Sequence, residues 1–98
     1  MKTILVVYAN KNLTIDEINS NKLRKYVFRT DSDINRGDIL KSPIYSSNMI
    51  VTDVINDDFK YFNAQSGELS NDITSTMCYP IKTLKLGEEN TVIAQKVF

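Results

Sequence analysis

Residues 4–9 read Ile-Leu-Val-Val-Tyr-Ala, a run with no charged side chain to turn toward water. Successive side chains of an extended strand point to opposite faces. A run like this therefore has no solvent face, and it calls for a strand central in a sheet and covered on both sides. Other readings of an apolar amino terminus fit less well. The run is short of the roughly 7–15 apolar residues and small-residue cleavage site of a secretory signal. It is closed off by Asn10-Lys11-Asn12. No stretch approaches the ~20 apolar residues of a membrane helix. The expected setting is the cytoplasm of a bacterial host, where the sequon Asn12-Leu13-Thr14 meets no glycosylating machinery.

The remainder divides into short runs separated by turn residues. Thr14-Ile15-Asp16-Glu17 has the form of a capping box, and Asn19-Ser20-Asn21 are poor helix formers, so one short helix is expected near residues 14–20. Strand patterns follow at 25–30, 38–41, 49–55, 59–63, 79–86 and 91–98. Asn56-Asp57-Asp58, Gln65-Ser66-Gly67-Glu68 and Gly87-Glu88-Glu89-Asn90 mark turns between them. With three Gly and two Pro in 98 residues, no flexible linker divides the chain. The expectation is a single domain over 1–98, mainly β. It would be an SH3-like small barrel or compact β-sandwich of six or seven short strands with that one helix.

Most enzyme classes lose their chemistry on composition. The chain has no histidine and one cysteine, Cys78. A Ser-His-Asp or Cys-His site is ruled out, an internal disulfide is impossible, and Cys78 between Met77 and Tyr79 reads as a small core residue. No metal site and no cofactor are expected. Lys plus Arg and Asp plus Glu number 12 each. Zero net charge argues against a general nucleic-acid coat or a polybasic membrane anchor, but not against a local basic patch.

Residues 30–42, TDSDINRGDILKS, allow three readings. A twelve-residue calcium loop starting at Asp31 would place Arg36 at the glycine position and Ser42 where the closing Glu belongs. Receptor recognition of Arg36-Gly37-Asp38 would need export. The reading that fits is a turn: Asp31, Ser32 and Asp33 form Asx-type bonds, Gly37 permits a left-handed residue, and Asp38 binds the turn backbone before a strand begins.

The pattern Ile34-x-x-Gly37-Asp38-Ile39-x-x-x-Pro43, followed by Met49-x-Val51-x-x-Val54, resembles the diverging-turn hairpin of SH3-like small barrels over residues 34–55. The longer spacing is similar to that of short uncharacterised phage-encoded proteins. It runs from Tyr26-x-Phe28-x-Thr30 through Gly37-Asp38 and Tyr45-Ser46 to Gly67-Glu68-Leu69 and Ile81-Lys82. That resemblance implies no catalytic residues.

Three segments are candidates for function. The loop 41–48 carries Pro43, Ile44, Tyr45 and Asn48, which read equally as the residue mix of an adaptable protein-binding loop or as a loop whose Ile44 and Tyr45 fold back to plug one end of the barrel. The segment 22–29 interleaves Arg24, Lys25 and Arg29 with Tyr26 and Phe28, as single-strand nucleic-acid binders do. Strict alternation, however, puts Lys25 and Arg29 on the face opposite the aromatics and leaves only Arg24 beside them. The polar stretch 66–76 carries Glu68 and Asp72 and reads as a solvated loop.

The leading expectation is a non-catalytic, phage-encoded binding protein acting on a host or phage protein as inhibitor or adaptor. The alternative is a small-barrel module that binds single-stranded nucleic acid through residues 22–29. A third is an oligomer sequestering a small anionic ligand, with Arg24, Arg29 or Arg36 supplying charge. Sheet extension through an edge strand would make a homodimer.

Overall fold

The computed structural model describes residues 1–9, 15–20, 23–42, 47–84 and 92–94. Its centre is β1 (Lys2–Ala9), the strand that contains the apolar run 4–9. Ile4, Val6 and Val7 are completely buried. β1 is paired on both sides, with β2 (Tyr26–Thr30) and β4 (Asn48–Ile55), both antiparallel. The full sheet has six strands in the order β8-β2-β1-β4-β3-β9, where β3 is Ile39–Lys41, β8 is Lys82–Thr83 and β9 is Val92–Ala94. All its pairings are antiparallel except β2 with β8. A second sheet has β5 (Tyr61–Asn63) between β6 (Leu69–Ser70) and β7 (Cys78–Pro80).

Both faces of the large sheet carry a core. On one, Ile4, Val6, Phe28, Ile34, Leu40, Met49, Val51 and Leu84 pack together. On the other, Val7, Ile39 and Ile50 pack against Ile18 of the single helix α1 (Ile15–Ser20). This double coverage is what the unbroken apolar run demands. The fold is mainly β with one short helix, as expected. The described residues form nine strands, two more than expected, because Leu69–Ser70 pair as a short strand inside the stretch read as a solvated loop and because the expected 79–86 strand is divided. The first part of that divided strand lies in the small sheet, then Ile81 turns into the core at 5% exposure, and Lys82–Thr83 join the large sheet beside Phe28 and Arg29. No described helix is long and apolar enough to cross a membrane.

The Gly37-Asp38 turn forms as read. Gly37 has φ 91°, its N–H donates to the Val51 carbonyl at 2.8 Å, and the Val51 N–H returns a bond to the Asp38 carbonyl at 2.9 Å. The Asp38 carboxylate is buried and accepts the Asn35 N–H at 2.8 Å. Asp31 and Asp33 are engaged elsewhere, facing the amino terminus at 3.6 Å and Lys2 at 3.7 Å. The three carboxylates therefore do not converge, and an Asp38 turned inward cannot be offered to a receptor. The residues of the expected capping box before Ile15, and those of the 87–90 turn, lie outside the described residues.

Cys78 corrects one expectation. It lies on β7, an edge strand, half-buried rather than in the core. Thr74 Oγ1 is 3.5 Å and Ser75 Oγ 4.0 Å from its sulfur. Hydrogen bonds from Thr74, with smaller help from Ser75, hold the thiol below its ordinary pKa.

Thr3 carries the turn from the large sheet to the small one. It is fully buried, its hydroxyl donates to the Asp57 carbonyl at 2.8 Å, and the same oxygen accepts the Phe59 N–H at 3.2 Å. Thr3→Val keeps the shape and leaves both backbone groups without that partner. We expect it to lower unfolding free energy by about 1–3 kcal/mol, read from a urea midpoint that falls at unchanged m value.

Candidate functional site

The exposed end of β2 faces the small sheet across a groove of about 680 Å³. That size lies within the roughly 300–1,000 Å³ typical of ligand pockets. One wall comes from the large sheet and the approach to β2: Tyr8, Arg24, Lys25, Tyr26 and Phe28. The other is Phe62 with the turn that follows it, and Pro80 and Lys82 stand where the chain crosses between sheets.

Strand alternation decides where each β2 side chain goes. Phe28 turns inward and is 8% exposed, whereas Tyr26, two residues nearer the strand end, is 38% exposed at the groove mouth. Tyr26 meets Tyr8 edge to face, with ring centroids 5.0 Å apart and planes at 73°. The Arg24 guanidinium lies over the Tyr26 ring, 5.1 Å from its centroid. Phe62 pairs in turn with Tyr79 at 6.1 Å.

The cations of β2 and its approach divide by face. Arg29 makes a forked bond to Asp58, Nε to Oδ1 at 2.8 Å and Nη2 to Oδ2 at 3.0 Å. Lys25 Nζ donates to Asp53 Oδ2 at 3.1 Å. Among the described residues no carboxylate pairs with Arg24 or Lys82. Among the described residues, three cations line the groove, Arg24, Lys25 and Lys82, and no Asp or Glu does.

The β5–β6 turn is rigid for a local reason. Asn63 Oδ1 accepts the N–H groups of Gln65 at 2.8 Å and Ser66 at 3.0 Å, and Gly67 N–H closes on the Asn63 carbonyl at 2.8 Å. Gly67 takes φ 77°, and the space where a Cβ would sit is open to 4 Å. These amide N–H groups are committed within the turn, so it shapes the wall without offering them as donors to a ligand.

Four of the six residues singled out for nucleic acid or anions line this groove: Arg24, Lys25, Tyr26 and Phe28. Arg29 is held by Asp58, and Arg36 lies apart with its Nε donating to the Thr52 carbonyl at 3.1 Å. Of the protein-binding set, Asn48 begins β4, opposite Lys41 and Ala9. Pro43, Ile44 and Tyr45 lie outside the described residues. Tyr8, Phe62 and Lys82 were not singled out from the sequence. Phe62 in Phe59-Lys60-Tyr61-Phe62 was visible as a strand aromatic, but nothing local places it opposite Tyr26.

Two carboxylates beside the site carry pH-dependent stability. Partial burial pushes the Asp53 carboxyl up, but hydrogen bonds from Thr52 and Lys25, with the charges of Lys25 and Arg36, outweigh it and hold it below its ordinary value. The fork from Arg29 does the same for Asp58. A carboxyl depressed in the folded state contributes stability above the unfolded value of about 3.9. That contribution is lost as pH falls through the lower folded value. Denaturant midpoints should therefore be flat near neutrality and decline on acidification below about pH 4–5. Asp53→Asn combined with Asp58→Asn should flatten that decline.

No protein-family model matches the chain, and neither a curated protein nor a solved structure is similar to it.

Proposed function

We propose that this chain is a non-catalytic binding module whose groove takes a short piece of single-stranded nucleic acid. One observation carries the reading. In a protein of zero net charge, the described residues lining the groove bring together three cations, of which Lys25 is paired with Asp53, and the rings of Tyr8, Tyr26 and Phe62, and include no carboxylate. Cations follow phosphates, and aromatic faces stack on bases of any sequence. The combination selects a ligand that is both planar and anionic. A duplex keeps its bases stacked inside and would leave the rings unused. The expected setting remains a reducing cytoplasm, consistent with one unpaired cysteine.

Contact with a protein, the leading expectation from the sequence, draws on the loop 41–48 with Pro43, Ile44, Tyr45 and Asn48, of which Pro43, Ile44 and Tyr45 lie outside the described residues. Support for it now comes from elsewhere, in the exposed side chains of Ile73, Met77 and Tyr79 near β7. These carry no charge pattern that selects a partner, and so they support the protein reading less far than the groove supports nucleic acid.

The test is fluorescence anisotropy with a labelled oligothymidylate, its duplex form and a free mononucleotide, each over a range of salt. The single strand should bind best. Log K should fall against log salt with a slope no steeper than about −2, since each phosphate contacted on a single strand contributes about −0.7. Tyr26→Ala should cost about 1–3 kcal/mol of binding free energy. Equal binding of strand and mononucleotide would identify a sequestered small ligand instead. Binding absent at low salt would reject the groove as a nucleic-acid site.

A further inference from the structure

In the free protein the Tyr26 ring is already occupied. Tyr8 meets it edge to face at 5.0 Å, and the guanidinium carbon of Arg24 lies over it, 5.1 Å from the ring centroid. A guanidinium on an aromatic face has the planar stacking geometry that a nucleobase adopts there. The two compete for one surface. At an exposed site the cation–ring attraction is weak enough to exchange. Arg24 precedes the first residue of β2 and has no carboxylate partner among the described residues, so no ion pair keeps it on the ring.

Resting on the nucleic-acid reading above, we propose that Arg24 is a placeholder. An incoming base takes the Tyr26 face, and the displaced guanidinium swings onto the phosphate attached to that base. The exchange returns what it costs only if base and phosphate arrive together. A base alone removes the cation from the ring and gives it no anion. A phosphate alone draws the cation away and leaves the ring bare. The unit recognised at this end of the groove is therefore one nucleotide, base and phosphate together. Arg24 contributes through charge and Tyr26 through stacking. Lysine at position 24 would keep the charge but not the flat fork that both covers a ring and meets two phosphate oxygens.

The roles separate in salt dependence. Oligothymidylate binding is measured from low to moderate salt for the wild type, Arg24→Ala and Tyr26→Ala, with circular dichroism confirming the fold of each. Arg24→Ala should bind more weakly at low salt, with a slope shallower by about 0.7, the loss of one phosphate contact. Tyr26→Ala should lose affinity at every salt concentration with the slope unchanged. Arg24→Ala binding as tightly as the wild type, or more tightly, at the wild-type slope would overturn the proposal and make Arg24 a mere cover for the ring. If the wild type binds no oligonucleotide, the nucleic-acid reading falls and the placeholder with it. If the wild type binds and only the Arg24 result fails, that reading stands alone.

Discussion

The groove exists because the small sheet is held against the large one, and the hold begins at the Thr3 hydroxyl. One buried oxygen donates to the Asp57 carbonyl and accepts the Phe59 N–H, fixing the chain as it leaves β4 for β5. Two further ties act on the same region. The Arg29–Asp58 fork joins β2 to the same connection. At the far end, Ile81 N–H donates to the Lys60 carbonyl and Leu84 N–H to the Arg29 carbonyl, so the returning chain is stitched first to one sheet and then to the other. The bonds made by Thr3 are shielded and carry the desolvation cost of two backbone groups if broken. The Arg29–Asp58 pair is partly exposed and contributes less. Position in the fold, rather than formal charge, ranks these ties.

A bulge on β4 governs the charges beside the groove. β1 pairs Leu5 with Asp53 and Val6 with Val51, which makes Thr52 the extra residue. Thr52 is buried, and its one hydroxyl proton lies between the Leu5 carbonyl at 3.2 Å and Asp53 Oδ2 at 2.8 Å. That contact orients the Asp53 carboxylate toward Lys25. Thus a backbone irregularity places an anion that draws on Lys25 and leaves Arg24, one residue earlier, to the aromatic face. Every buried side-chain nitrogen and oxygen among the described residues has a hydrogen-bond partner.

Much of this was legible in the sequence where the physics is local. The run 4–9 has no polar face, so a central strand was forced, and Gly37 with Asp38 specified its turn through backbone conformation and one carboxylate. Alternation separated Arg29, which Asp58 holds, from Arg24 beside the aromatics, but it also set Lys25 apart, whereas Lys25 lines the same groove while bonded to Asp53. Alternation could not tell that Phe28 enters the core while Tyr26, on the same face, stays at the rim, because that depends on where the covering layer stops. The groove itself was not legible. It needs Phe62 opposite Tyr26 and Lys82 beside Phe28, contacts made by a parallel pairing of two residues and by a second sheet. Pairings this short leave no periodicity to read. Cys78 misled for a related reason: apolar neighbours in sequence suggested a core, but β7 is an edge strand.

Charge neutrality overall and a basic groove are compatible because the acids are placed, not scarce. Asp53, Asp58, Asp31 and Asp33 are spent on Lys25, Arg29, the amino terminus and Lys2. Removing carboxylates from the groove does as much as adding cations would. The molecule measures 37 × 31 × 23 Å, whereas charges in physiological salt are screened over about 8 Å. A ligand in the groove feels Arg24 and Lys82, while Asp53 at 3.1 Å offsets the charge of Lys25 and the acids farther away add little. The same screening removes long-range attraction, so a neutral module of this kind gains little of the electrostatic steering that a uniformly basic one has. On the proposed reading, contact with an anionic strand would lean on stacking as much as on charge, which would put the ring of Tyr26 and the cation over it at the centre of the site.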